Sequence, residues 1–339
     1  MDKRFSVFDA AVVGSGSAHA SRFGATSKTS AVTLTTGTDR RGMVYDALKP
    51  FKDEVRAGIN NRQVVIKVNM GQVDAKLPLN ATHPDAVRGI LDFLKPIYKH
   101  RVILAEATAA ESRSTLEGFK NFGYLPLEKD YSIEFVDLNE RPTRTCWILG
   151  EKNHPQKINI IQTYLDPGNY LISVTRLKTH DNVFATLTLK NVVMGSPVNH
   201  WRQRSYEGRN EKPMMHSGGN RGLSYNLFRV AEMGVRPDLA VLDGVVGMEG
   251  NGPVSGPPID HGVVLAGTDW LAVDRMGVEL MGIDYRRVIY LRWCGQVGMG
   301  QDDRSKIEII GPDPANYVKT YKLHRNIAEQ LAWIEQDKI

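Results

Sequence analysis

At 339 residues, with 42% hydrophobic and 24% charged residues, the chain has the length and composition of one large globular domain or two smaller ones. Its formal net charge of +5 is modest and spread along the chain, which suits a small anionic partner and makes no case for nucleic acid. Two cysteines, Cys146 and Cys294, cannot supply a disulfide framework or the ligands of an iron–sulfur cluster. No apolar run reaches membrane-helix length, and Met1 to Phe23 lacks the apolar stretch of a secretory signal, so the cytoplasm is the expected compartment and no membrane partner is expected.

Taken in chain order, Val12 to Ala18 reads VVGSGSA, which opens like a dinucleotide fingerprint. That fingerprint needs a third glycine and an apolar helix. Ser21 to Lys28 is polar and turn-like instead, so a nicotinamide cofactor is not expected. Residues 1–32 read as an N-terminal extension and 33–339 as a single α/β domain, with a division into lobes 33–145 and 146–320 left open. Short apolar runs follow at Val64–Val68, Val102–Ala105, Ile133–Val136, Ile158–Ile161, Leu171–Thr175, Leu239–Leu242, Val263–Ala266 and Ile307–Ile310. Several are near-continuous Val, Ile and Leu, as strands buried on both faces of a parallel sheet should be.

Helical patterns lie between the runs. Pro84 stands where a first-turn proline belongs, with His83 in the turn before it, and Val87, Ile90, Leu91 and Leu94 follow at helical spacing until Pro96. A second helix is expected from Asp269, as its cap, to Leu280, with Gly282 at its C-terminal end and Asp274 free to form a salt bridge. The fold expected is therefore α/β: a largely parallel sheet flanked by helices, with a long polar loop near 196–222. Within that loop His200 to Lys212 reads HWRQRSYEGRNEK, either a solvated loop or a lid over an anion.

In parallel sheets ligands bind outside the carboxyl ends of the strands, so the residues that follow each run matter most. Here they are Lys67 and Asn69; Glu106 and Thr108; Arg176, Lys178 and His180; then Asp243, Glu249 and Asn251. A single converging site is expected, with Lys67, Asn69, Lys178, Asn191 and Asn251 binding an anion. His180, Lys190 and Glu249 are the expected proton-transfer groups, oriented by Glu106. Lysines close to a histidine would lower one another's pKa and favour an anionic substrate. His216 precedes a glycine-rich stretch at a helix start, either a seat for a phosphate or carboxylate or a plain loop with an N-cap. His180, His200 and His216 form an alternative divalent-metal set, although no tight ligand spacing accompanies them.

Four stretches resemble the domain of unknown function 362 family. They are VIKVN at Val65–Asn69; LKTH at Leu177–His180 with Thr186, Lys190 and Asn191 downstream; MEGNGP at Met248–Pro253; and Thr268-Asp269 with Ala272 to Asp274. The family usually has proline after the first lysine, where this chain has Val68. Some members carry an iron–sulfur module, which this chain has no cysteine cluster to hold. The order and spacing of His180 and Lys190 are also similar to those of the nickel-pincer lactate racemases. That resemblance implies a histidine that contacts a metal or cofactor and a lysine that holds the cofactor. The resulting expectation is an enzyme acting on a small carboxylate or phosphate by Lys/His/Glu acid–base or metal-assisted chemistry. A protein that binds a metal, cofactor or anionic metabolite without chemistry is the alternative.

Overall fold

The computed structural model describes residues 28–110, 113–200 and 210–336. The VVGSGSA stretch and most of the basic segment lie outside the described residues. The strands are β1 (Ser30–Thr36), β2 (Gln63–Lys67), β3 (Val102–Glu106), β4 (Ile133–Asp137), β5 (Thr143–Leu149), β6 (Pro155–Ile161), β7 (Asn169–His180), β8 (Phe184–Thr186), β9 (Leu239–Met248), β10 (Pro258–Gly267) and β11 (Ile307–Ile310). The helices are α1 (Arg40–Leu48), α2 (Lys52–Ile59), α3 (Pro84–Leu94), α4 (Thr115–Asn121), α5 (Thr188–Gly195), α6 (Gly219–Glu232), α7 (Trp270–Leu280), α8 (Ile289–Gln296) and α9 (Ile327–Gln336).

One mixed, mostly parallel sheet runs in the order β11-β1-β10-β9-β7-β2-β3-β4, with β8 folded back on β7. The block from β9 to β4 is parallel throughout, whereas β10 is antiparallel to both β9 and β1. Every apolar run named above is a strand, but two sit differently from a uniform parallel sheet. Ile158–Ile161 belongs to a separate antiparallel pair, β5 with β6, and Val263–Ala266 lies in the antiparallel β10. β1 begins at Ser30, inside the stretch read as an extension, because Ser30 to Thr33 pair with β11.

The sheet is covered on both faces, which explains the continuous apolar runs. Alternation along β7 divides its residues between two cores: Leu171 and Leu177 pack with α5, α6, α7 and α8, while Tyr170, Ile172 and Val174 pack with α1 to α4. Helix starts follow the expected chemistry. Asp269 caps α7 through the Leu271 and Ala272 N–H groups, and the His83 ring accepts from the Asp85 N–H at the start of α3. The loop expected over 196–222 is shorter, since a 3-10 turn covers Lys212–His216 and α6 starts at Gly219.

Candidate functional site

The carboxyl ends of β2, β3 and β7 open on a cavity of about 710 Å³, which α5 and the residues before α6 close from the other side. Lys67, at the end of β2, is 1% exposed, and Glu106, at the end of β3, is 2% exposed. Their pairing occupies both groups. Lys67 Nζ lies 2.8 Å from Glu106 Oε1 and also donates to Val68 O at 2.7 Å and Asn191 Oδ1 at 2.9 Å. The Glu106 carboxylate further accepts the Met70 and Ala107 N–H groups, each at 2.7 Å. Burial lowers the Lys67 pKa and Glu106 opposes the shift, a balance that stands only because each charge has its partner.

The network continues through amides. Asn69 Nδ2 donates to Asn191 Oδ1 at 3.0 Å, and Asn191 Nδ2 donates to Ser173 Oγ at 3.0 Å. Lys178 is similarly engaged, donating to Asn69 Oδ1, Asn80 O and Pro253 O. Burial, Lys190 and Arg176 bring its pKa down to about 7, while three oxygen acceptors favour its ammonium form. Lys212 donates to Met194 O, Gly195 O and Pro197 O, so it caps the C-terminal end of α5. Burial brings its pKa to about 7 as well.

Helix α5 is held at its other end by Asp274 of α7. The start of α5 has no side-chain cap of its own. The fully buried Asp274 carboxylate accepts from Thr188 N–H at 2.8 Å, Thr188 Oγ1 at 2.6 Å and Leu189 N–H at 3.0 Å. Asp274 therefore forms hydrogen bonds across the fold where a salt bridge was expected from the sequence. Burial raises the Asp274 pKa to about 7 against these hydrogen bonds, and the buried turn that carries Lys190 and Asn191 is thus fixed by the Asp274 carboxyl at its start and the Lys212 side chain at its end.

Lys190 differs from the other lysines of the cavity. It is 5% exposed, lines the cavity, and among the described residues its ammonium has no hydrogen-bond acceptor. Burial lowers its pKa to about 8, with Asp181 opposing. Two imidazoles share the wall. The His180 and His216 rings lie 6.4 Å apart between centroids and 22° from parallel. Burial and the Lys190 charge push His180 to about 3 and His216 to about 4, so both are neutral at pH 7. His180 Nδ1 stands 3.0 Å from both the Asn182 N–H and Asp181 Oδ1, accepting from the first or donating to the second according to its tautomer. Thr186 Oγ1 also lines the cavity, buried and without a hydrogen-bond partner among the described residues.

A family model described as "Domain of unknown function (DUF362)" matches residues 64–279. The chain belongs to the DUF362 family. A curated relative, the thylakoid-associated protein sll1697 of Synechocystis, is 27% identical over 168 residues, which are 49% of this chain and 47% of that protein. The match thus spans about half the length of the relative. Among solved structures, the lactate racemase apoprotein of Thermoanaerobacterium thermosaccharolyticum superposes with a TM-score of 0.43 at 11% identity, covering 77% of this chain and 58% of that one. A Thermotoga maritima structural-genomics protein gives 0.39 at 13% identity, covering 67% and 56%. At these TM-scores neither likeness bears on fold detail or chemistry.

The DUF362 segment contains the cavity, but its motifs contribute unevenly. Lys67, Asn69, Glu106, Lys178, His180, Lys190 and Asn191 are brought together as expected. Glu249 and Asn251 are not among the lining residues. The Glu249 carboxylate accepts the Lys322 N–H at 2.8 Å, and Asn251 is exposed to solvent. Their motif acts through its backbone: Gly250 O accepts from Thr179 Oγ1, Pro253 O accepts from Lys178, and a Cβ at Gly252 would stand 2.1 Å from Thr179 O. His200 does not line the cavity either, and among the described residues no three His, Cys, Asp or Glu side chains group as a metal shell. The sequence reading missed Asp181 and Lys212 as cavity residues, since neither follows an apolar run. A larger cavity of about 1000 Å³ lies at the opposite, amino-terminal ends of β7 and β1, where Arg62 and Asp238 pair at 2.9 Å. The smaller cavity is the stronger site because it gathers the strand-end charges.

Proposed function

We propose that this cavity binds a small anionic compound, a carboxylate or a phosphate, and that Lys190 with His180 and His216 moves protons on it. The observation that carries this reading is the Lys190 ammonium: buried, at the cavity wall, and without a protein acceptor among the described residues. A desolvated ammonium without a hydrogen-bond acceptor is costly even with Asp181 nearby, and an anionic ligand lowers that cost. The neutral imidazoles beside it are ready to accept a proton. In this reading Lys67, Glu106 and Asn191 fix the wall, and Lys178 adds positive potential through its fixed position. The cytoplasm remains the proposed location, consistent with two buried, unpaired cysteines. Among the described residues no helix is long and apolar enough to cross a membrane.

The test is thermal denaturation against a panel of simple carboxylates and phosphates, with the wild type and Lys190→Met in parallel. Saturable stabilisation of the wild type that disappears in Lys190→Met is expected. Equal stabilisation of both proteins would remove Lys190 from the site, and no stabilisation of either would remove the anion. Binding without chemistry is the second reading. The closed shells of bonds around Lys67 and Lys178 favour it, because groups so engaged hold a shape but transfer no protons.

A further inference from the structure

We propose that Lys190 is a Schiff-base lysine, and that the anion held in the cavity carries an aldehyde or ketone which condenses with its Nζ. This rests on the reading of the cavity as an anion site and adds to it the functional group of the ligand and a covalent step.

The lysines around the cavity are chemically alike and physically different. Lys67 donates to a carboxylate, an amide oxygen and a carbonyl, Lys178 to one amide oxygen and two carbonyls, and Lys212 to three carbonyls. An amine surrounded by such acceptors is tied to them and is poorly placed to attack a ligand. Lys190 has no such acceptors among the described residues, yet it is 5% exposed on a fully buried turn of α5. Desolvation without hydrogen-bonded compensation favours the neutral amine, which is the nucleophile. Its pKa near 8, against 10.5 for an ordinary lysine, raises the free-amine fraction at neutral pH by about two to three orders of magnitude.

The neighbours suit the two steps of condensation. Nζ attacks the carbonyl carbon, an N–C bond forms, and the carbonyl π pair moves to oxygen. A proton then passes from nitrogen to that oxygen, for which neutral His180 and His216 are available as carriers. The unpartnered Thr186 hydroxyl can hydrogen-bond the carbinolamine oxygen. The remaining N–H proton, carried the same way to this hydroxyl, lets it leave as water while the nitrogen electron pair closes the C=N bond. The ligand's carboxylate or phosphate sits in the positive potential of Lys178, and about 710 Å³ leaves room for a compound of metabolite size.

The experiment is reductive trapping of the full chain with pyridoxal 5′-phosphate and, separately, pyruvate, each with cyanoborohydride. Adducts are counted by intact mass and located by peptide mapping. One equivalent is expected on Lys190, formed roughly a hundredfold faster than on lysines of ordinary pKa, as the free-amine fraction implies, and absent in Lys190→Arg. Mapping in the wild type decides the matter even if that variant does not fold. Adducts spread over surface lysines with Lys190 unmodified would overturn the proposal. If acetate or inorganic phosphate stabilises the protein while Lys190 stays unmodified, the imine falls and the anion site stands. If neither stabilisation nor trapping is seen, both fall.

Discussion

Removing one half of the Lys67–Glu106 pair tests whether these groups build the site or bind in it. Glu106 accepts three donors: the Lys67 ammonium at 2.8 Å and two N–H groups at 2.7 Å. Glu106→Ala would leave a buried ammonium with two neutral acceptors and two buried N–H groups with none. Breaking a buried pair costs ~3–5 kcal/mol, and each stranded N–H adds ~1–3 kcal/mol, which approaches the whole stability of many domains. Glu106→Gln and Lys67→Met are milder, at about 2–4 kcal/mol each, because part of the hydrogen bonding survives. The double variant leaves neither charge and should be more stable than the sum of the singles by about 2 kcal/mol. Urea unfolding followed by the fluorescence of the five tryptophans reads all four proteins. Single variants within about 1 kcal/mol of wild type, with an additive double, would refute the reasoning. That outcome would mean that the pair is wet and that Lys67 is available to a ligand, as its place in the sequence suggests.

Acid should weaken the fold through the cavity imidazoles. His180 and His216 titrate at about 3 and about 4 when folded and near 6.5 when unfolded, so between these values the unfolded chain binds more protons. Their contribution is whole above pH 6.5 and is lost as pH falls; a His180→Gln/His216→Gln variant should show a flatter urea midpoint from pH 6.5 to 4, and an unchanged slope would count against neutral rings. Gly195→Ala places a Cβ 2.5 Å from Lys67 Cε and 2.8 Å from the Tyr164 hydroxyl oxygen. A loss of about 1–3 kcal/mol is expected despite the better helix former, with no loss meaning that Lys67 can move. Asp274→Ala strands the Thr188 and Leu189 N–H groups and the Thr188 hydroxyl, for about 2–4 kcal/mol by chemical denaturation. Asp274→Asn, which keeps one acceptor oxygen, should cost less; equal losses would show that the carboxylate's shape matters and its acceptors do not.

The sheet was legible because strands buried on both faces advertise themselves as apolar runs. Strand direction was not: Val263–Ala266 reads like its parallel neighbours, and only its partners make β10 antiparallel. β5 was missed because it alternates, with Arg144, Thr145 and Trp147 exposed and Cys146 and Ile148 buried. For the site, a residue type one or two places after a strand predicted position well and role less well. Lys67, Lys178 and Lys190 all reach the cavity, but nothing local distinguishes a lysine already committed to carbonyls from one that is not. Glu249 and Asn251 misled because their motif packs through glycine and proline backbone, while the polar residues between them turn outward.

What leaves Lys190 uncommitted is the way α5 is closed. A short helix buried end to end must satisfy its terminal N–H and C=O groups from elsewhere. Here Asp274, from α7, takes the start and Lys212 takes the end. Lys212 is itself held in place: the preceding residue, Glu211, accepts the Asn159 N–H at 2.5 Å and Asn159 Nδ2 at 2.7 Å, and its own N–H bonds Val198 O at 3.0 Å. The helix therefore needs nothing from Lys190. Loss of Lys212 would strand three carbonyl oxygens at the end of α5 and loosen the turn that carries Lys190. A Lys212→Met protein that still folds should consequently lose reductive trapping at Lys190, although Lys212 is not the residue that reacts. Undiminished trapping would show that Lys190 owes its freedom to something other than the capping of α5.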